Sequence, residues 1–269
     1  MLGWLIVSLL LFFVGAAFGS FLNVWVQRSI NEEDWVFTRS RCDRCKRQIK
    51  WYDNIPLLSY LLLRGKCRFC HKTISLDHPV MELLAGALFV WWYTSGFIFF
   101  QLSLSPFTLL QPLFWLVVGM VLLAIVLSDF LYMIIPDFLV GILMALVVLY
   151  RFLLVSAGIM QWEDLIKSVI AMFLATAFIG SIYAITKGKG MGLGDVKLML
   201  PLGLLLGWPK VLVALFLSFI IGAIVALFLL AMKKKKMGQV IPFGPFLVLA
   251  TVISLMWGNQ IFAWYLSLL

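Results

Sequence analysis

No charged side chain occurs between Gly3 and Val26, and apolar runs of this kind recur along the sequence. A run of about 20 apolar residues is long enough to cross a bilayer as a helix. Further runs lie near 80–102, 108–128, 138–157, 163–186, 195–207, 209–231 and 242–267, which with the first makes eight helices. The run at 195–207 is short for a span and also reads as a tilted or half-buried helix, which would leave seven. The chain is 64% hydrophobic and 12% charged, against about half apolar and about a quarter charged in a soluble domain. The expected fold is therefore an all-α polytopic membrane protein. A cleaved signal peptide opens on a basic stretch. Here no Lys or Arg precedes Arg28, so the first run reads as a retained helix.

Between Gln27 and His78 the composition changes. This stretch carries eleven Lys or Arg, six Asp or Glu and all four cysteines. It is the one candidate for a soluble module, and at this size it needs a staple. Three parts follow: a first helix at 1–26, a module at 27–78 and a multi-helix membrane domain at 79–269. No internal repeat or low-complexity segment is evident.

Orientation follows from the basic residues, which mark cytoplasmic loops. They crowd into 28–72, 187–197 and 233–236, while the loops near 103–107 and 157–163 have none. Eight helices then leave both termini outside, with the module, the Asp129–Asp137 loop and the loop before Asp195 in the cytoplasm. Arg151 and Lys167 lie inside spans and are expected to snorkel. Lys233 to Lys236 read as an inside anchor, with contact to membrane lipid. The net charge of +9 belongs to these loops and to anionic headgroups. Nucleic acid is not expected, because no basic patch interleaves with aromatics on a soluble module.

Cys42-x-x-Cys45 and Cys67-x-x-Cys70 are separated by 21 residues. Two such knuckles bring four thiolates into a tetrahedron that suits Zn²⁺. Two disulfides or four unrelated thiols are the alternatives, and a reducing cytoplasm disfavours the disulfides. A four-thiolate site is closed, so its zinc would be architectural. His71 beside Cys70 reads as a bystander. Trp51-Tyr52 reads as a small module core or an interfacial anchor.

Six carboxylates lie outside the module: Glu82, Asp129, Asp137, Glu163, Asp164 and Asp195. Glu163 and Asp164 suit the N-terminus of a helix. Glu82 either caps the second helix or faces the module. Pro136 breaks a helix, and Asp137 is placed to cap the next. Asp129 closes the third helix and Asp195 opens the sixth, both on the cytoplasmic edge. Asp195 follows Gly190-Met191-Gly192-Leu193-Gly194, whose glycines allow a bend and close approach. Carboxylates at a membrane edge are functional candidates. Two of them close together share a proton, so one serves as base on a water and the other as acid. That describes an aspartyl protease. A proton relay in a transporter and a set of unrelated capping acids fit the same residues.

Together with several other motifs, Gly192-Leu193-Gly194-Asp195, with Lys197 following, resembles the Gly-x-Gly-Asp signature of the type IV prepilin peptidases. Gly19-Ser20-Phe21-Leu22-Asn23-Val24 resembles the family's N-terminal signature. The two cysteine pairs flanking Trp51-Tyr52-Asp53-Asn54-Ile55-Pro56 look like its cysteine-bearing loop. Asp129 with Ile135-Pro136-Asp137 is similar to its first catalytic region, and Ile241-Pro242-Phe243-Gly244-Pro245-Phe246 to a motif opening the last helix. His78-Pro79 stands where the family commonly has Tyr-Pro.

The resemblance implies Asp129 and Asp195 as catalytic pair, with Gly192, Gly194, Asp137 and Lys197 in support. It implies prepilin and pseudopilin substrates, cleaved after a glycine behind a short basic leader at the bacterial inner membrane. It also implies N-methylation of the new N-terminus with S-adenosylmethionine, for which no glycine-rich fingerprint is visible. Lys197 is expected to anchor at headgroups, with lowering of an Asp pKa as the alternative, and Gly244 and Pro242 to let the last helix approach the active-site loop. A transporter relay prefers acids at the bilayer midplane, whereas these sit at helix ends beside basic loops. A noncatalytic zinc-bearing pilin assembly factor is the third reading.

Overall fold

The structure is a computed structural model that describes residues 2–34, 39–42, 44–96, 102, 105–233 and 240–268. Among these residues the regular elements are helical and no strand of a sheet is present. The helices are α1 (Leu2–Ile30), α2 (Leu58–Leu62), α3 (Asp77–Trp91), α4 (Phe107–Tyr132), α5 (Asp137–Ser156), α6 (Trp162–Thr186), α7 (Leu193–Leu206), α8 (Lys210–Ala231) and α9 (Gly244–Leu266). Each expected apolar run has become a helix, as continuous hydrophobicity without turn residues favours.

Six helices are long and apolar enough to cross a membrane: α1, α4, α5, α6, α8 and α9. The expected count of eight, or of seven with 195–207 as a half-buried helix, is not reached among the described residues. α3 has 15 residues and passes into a π-turn, Trp92–Gly96. The rest of the run expected at 80–102 falls largely outside the described residues, as do Lys234 to Lys236 of the basic anchor. α7 has 14 residues, or about 21 Å at 1.5 Å per residue, short of a hydrocarbon core of about 30 Å. Gly207, at φ +65°, ends it before Trp208-Pro209.

The chain forms two compact units, Met1–Leu127 and Ser128–Leu269, with the division inside α4. In the first, α1 packs along α3 through small residues. A Cβ on Gly15 would stand 2.6 Å from the carbonyl oxygen of Ala85, and one on Gly19 2.7 Å from that of Met81. Glycines four apart thus let two helix backbones meet, as membrane helices commonly do. Leu22, Met81, Ala85, Phe89, Met120 and Leu127 form the buried cluster there.

In the second unit, α7 is the central element. It packs on α5, α6, α8 and α9, and nine of its residues are buried. A Cβ on Gly203 would lie 2.8 Å from Cα of Met172, so α6 and α7 also touch backbone to backbone. The C-terminal end of α7 is held by Arg151 of α5, which donates from Nε and Nη2 to the carbonyl of Leu204 and from Nη2 to that of Leu205, at 2.9–3.2 Å. Arg151 was expected to snorkel. It turns inward because the last carbonyls of a helix are unpaired and carry partial negative charge. Lys167 stays exposed beside Glu163 and Asp164 in the first turn of α6.

Candidate active site and cysteine centre

Asp129 lies one turn from the end of α4. Ser128 Oγ donates to the carbonyl of Ile134 at 2.7 Å, and the N–H of Met133, in the left-handed region, donates to the carbonyl of Asp129 at 2.9 Å. These bonds close the helix and turn the chain through Ile135-Pro136 into α5. Pro136 is extended and ends the helical path, as its fixed φ and missing donor require. Asp137 then begins α5 but makes no side-chain cap. Both its oxygens accept from Lys197 Nζ at 2.8 Å. The expected cap is replaced by an exposed ion pair, and Lys197, expected at the headgroups, spans from α7 to α5.

Asp195 occupies the first turn of α7. Its Oδ2 accepts the N–H of Gly192 at 3.1 Å, the backward half of a capping box. Its Oδ1 is buried and has no hydrogen-bond partner among the described residues. Asp129 Oδ2 accepts the N–H of Gly244, the first residue of α9, at 2.9 Å. Each carboxylate thus meets the positive end of a helix. Both are buried, at 6% and 7% exposure, and Asp129 lies within electrostatic reach of Asp195.

Ile135 joins the two acids sterically. A Cβ on Gly194 would lie 3.0 Å from Ile135 Cβ, and one on Gly244 would lie 3.3 Å from Ile135 Cδ1 and 2.6 Å from Asp129 Oδ2. The end of α4 and the starts of α7 and α9 therefore converge on one apolar wedge. Neither Gly192 nor Gly194 has positive φ. The glycines before Asp195 serve close approach and not a left-handed bend. The expected approach of the last helix also appears here, carried by Gly244. An orphaned carboxylate oxygen within electrostatic reach of a second carboxylate is an arrangement that can bind and polarise a water or a carbonyl.

The four cysteines come together in the first unit. Their Sγ atoms all lie within 4.8 Å of one another, and Cys42 and Cys70 are 3.9 Å apart. The thiols are free; a disulfide needs about 2.05 Å. Zinc with Zn–S near 2.3 Å has a tetrahedral edge of about 3.8 Å, so the donor set fits that ion. The backbone N–H of Cys70, first among several donors, pulls the Cys67 thiol down to about 7. Burial pushes Cys42 up to about 11.

The module contains a repeat that was not evident in the sequence. In the first knuckle, the N–H of Cys42 donates to Arg47, that of Lys46 to Cys42, and Arg41 bridges Gln48. In the second, the N–H of Cys67 donates to Lys72, that of His71 to Cys67, and Lys66 bridges Thr73. Lys46 and His71 hold the same left-handed position, at φ 57° and 55°. His71 is therefore a turn residue, outside the cysteine cluster. The signal was hidden because a lysine and a histidine occupy places where glycine would have marked the turn.

Trp51 is 81% exposed, so it does not form a module core. Tyr52 offers its ring to Lys50 and Arg68, while Arg68 forks onto Asp53. Glu82 faces the module, as one of its two expected roles required: its Oε2 accepts the N–H of Leu57 at 2.7 Å.

Residues 13–95 match the bacterial Peptidase A24 N-terminal domain, and residues 116–227 match the type IV leader peptidase family. The chain is 33% identical to a prepilin leader peptidase/N-methyltransferase of Stutzerimonas stutzeri, covering 94% of this chain and 92% of the relative. It is 33% identical to that of Aeromonas salmonicida (99% and 96%) and 31% to that of Pseudomonas aeruginosa (94% and 91%). The chain belongs to the type IV leader peptidase family. No solved structure matches it. The N-terminal match covers most of α1, the cysteine module and α3. The second match holds both Asp129 and Asp195 but stops short of Gly244.

Proposed function

We propose that this chain removes the short basic leader of prepilins and pseudopilins at the cytoplasmic face of the bacterial inner membrane, with Asp129 and Asp195 as the catalytic pair. The reading is carried by one observation: a buried Asp195 Oδ1 without a hydrogen-bond partner among the described residues, within electrostatic reach of Asp129, in a chain similar to prepilin leader peptidases along nearly its whole length.

In this reading the two carboxylates share one proton. The ionised one takes a proton from a water, whose oxygen attacks the scissile carbonyl carbon. The protonated one gives its proton to the carbonyl oxygen. As the tetrahedral intermediate collapses, the C–N bond breaks, and the leaving nitrogen takes the proton drawn from the water. The N–H groups of Gly192 and Gly244 hold the two carboxylates in place, and Gly194 and Ile135 set the approach. Lys197 and Asp137 support the loops on either side.

The membrane arrangement follows the basic loops. The six long helices cross, and α3 and the short α7 complete the count of eight where the bilayer thins around them, which keeps the Asp129 and Asp195 ends and the 27–78 module on the inside. Cys42, Cys45, Cys67 and Cys70 hold a structural Zn²⁺ that staples this module, leaving 79–269 as the membrane peptidase domain.

The relatives are also named N-methyltransferases, and the same second activity is assigned here. S-adenosylmethionine supplies an electrophilic methyl group on a sulfonium. The protein's task is to hold it and to present the freed amine.

A model prepilin incubated with the purified enzyme and S-adenosylmethionine tests both activities by mass spectrometry. The product should lack the leader and carry one added methyl group. An uncut prepilin would refute the peptidase reading, and a cut but unmethylated product would refute the second activity.

A further inference from the structure

A groove of about 320 Å³ runs between α6 and α8, within the Ser128–Leu269 unit. α6 packs closely along α7 and α8 along α9, whereas α6 and α8 meet only loosely. The two pairs splay, and the gap between them stays open. Its floor is made by the buried Ala171 and Ala175 of α6 and Val211 and Leu215 of α8. Its rims are bulky and exposed, Leu174 and Phe216 among them. Phe178 and Phe219, the last residues on either helix to line it, meet edge to face at 6.2 Å. Trp208, just before α8, stands at the other end.

Both helices are long and apolar enough to cross a membrane. An unfilled cleft forfeits the dispersion contacts of its walls. Apart from the Trp208 indole, every side chain that lines this one is a hydrocarbon, which suits an acyl chain.

The charge at the Trp208 end selects the rest of the ligand. Glu163, Lys167, Ala171, Leu174 and Phe178 follow one another by three or four residues and so share one stripe of α6. The exposed Lys167 lies one turn before Ala171, with Asp164 at 3.8 Å and Glu163 at 4.0 Å. Both distances are too long for a direct hydrogen bond, so the ammonium can still donate and the carboxylates can still accept. A lone lysine would suit any phosphate. A lysine beside two carboxylates disfavours a headgroup of net negative charge and favours one that carries both a phosphate and an ammonium. Ser168 ties the two helix starts together, since a Cβ on Gly207 would stand 2.8 Å from its Oγ. Trp208 therefore lies near the level of Lys167, and tryptophan gathers at the headgroup boundary.

We propose that this groove holds an acyl chain of one zwitterionic aminophospholipid, with its phosphate at Lys167 and its ammonium at Glu163 and Asp164. The site rests on α6 and α8 crossing the bilayer, as in the arrangement above, and not on the aspartate chemistry.

The test places the full-length, metal-loaded protein in nanodiscs of equal phosphatidylethanolamine and phosphatidylglycerol and reads the retained lipid by native mass spectrometry. Wild type should keep one phosphatidylethanolamine with about tenfold preference, the scale of one charge-assisted contact. Glu163→Gln combined with Asp164→Asn should erase that preference, and Lys167→Gln should weaken retention of both lipids. In membranes that also contain a prepilin, benzoylphenylalanine placed at Leu174 should crosslink to lipid on irradiation. Capture of the prepilin or of a second copy of the chain there instead overturns the proposal. So does an unchanged preference in the acid variant, or none in wild type. Wild type that cleaves prepilin but shows no lipid preference loses this site alone. Wild type that keeps the lipid but leaves prepilin uncut loses the peptidase reading alone.

Discussion

The backbone N–H of Gly244 donates to Oδ2 of Asp129 at 2.9 Å, across 115 positions of sequence. A helix start from the end of the chain thus fixes an acid at the end of α4. The contact leaves no room for a side chain, since a Cβ on Gly244 would stand 2.6 Å from that oxygen.

Gly244→Ala should therefore displace Asp129 and slow leader cleavage by about 10²-fold, the scale on which a misplacement of about 1 Å is felt in catalysis. Steady-state kinetics on a model prepilin would test this, with the loss expected in kcat. Wild-type rates in Gly244→Ala would mean that the contact does not hold the acid.

Arg151 closes the other end of α7, the helix that carries Asp195. Arg151→Ala strips the Leu204 and Leu205 carbonyls of a charged donor away from water. We expect a loss of about 3 kcal/mol, since such bonds are worth about 1.5–3 kcal/mol each and do not add fully. Arg151→Lys should recover only part, because a lysine cannot fork onto two carbonyls. Thermal unfolding in detergent measures both, and an unchanged midpoint in Arg151→Ala would remove the capping role.

The cysteine geometry predicts one zinc per chain by elemental analysis, lost when Cys42, Cys45, Cys67 and Cys70 are replaced together. Chelation should unfold the module and expose it to protease, because structural zinc contributes folding energy directly. A metal-free wild type with stable thiols would contradict the assignment.

Much of this is legible in the amino-acid sequence. Continuous apolar runs announced the helices, and the acid after Gly192-Leu193-Gly194 stood out because a carboxylate at a membrane edge is costly. What the sequence hid depends on contacts distant along the chain. Nothing local to Gly244 says that Asp129 is its partner. Arg151 looked like a snorkelling cation because its two carbonyl partners lie more than fifty residues away. Lys197 follows Asp195 by two positions, yet its ammonium reaches Asp137. The two knuckles fold alike through backbone turns at Lys46 and His71, which residue identity does not mark. The length of α3 was also hidden, since hydropathy does not register a π-turn, whereas the run at 195–207 already marked α7 as short.

The central claim is that Asp129 and Asp195 act as one catalytic pair. Its most direct test is leader cleavage by purified Asp129→Asn and Asp195→Asn. Asparagine keeps an oxygen to accept the N–H of Gly244 or Gly192, so the surrounding loops should hold while the ionisable group is gone. The account predicts that each single variant loses at least about 10³-fold in kcat, and that the double variant is scarcely worse, as groups acting as a unit behave. Cleavage by either single variant near the wild-type rate would contradict it.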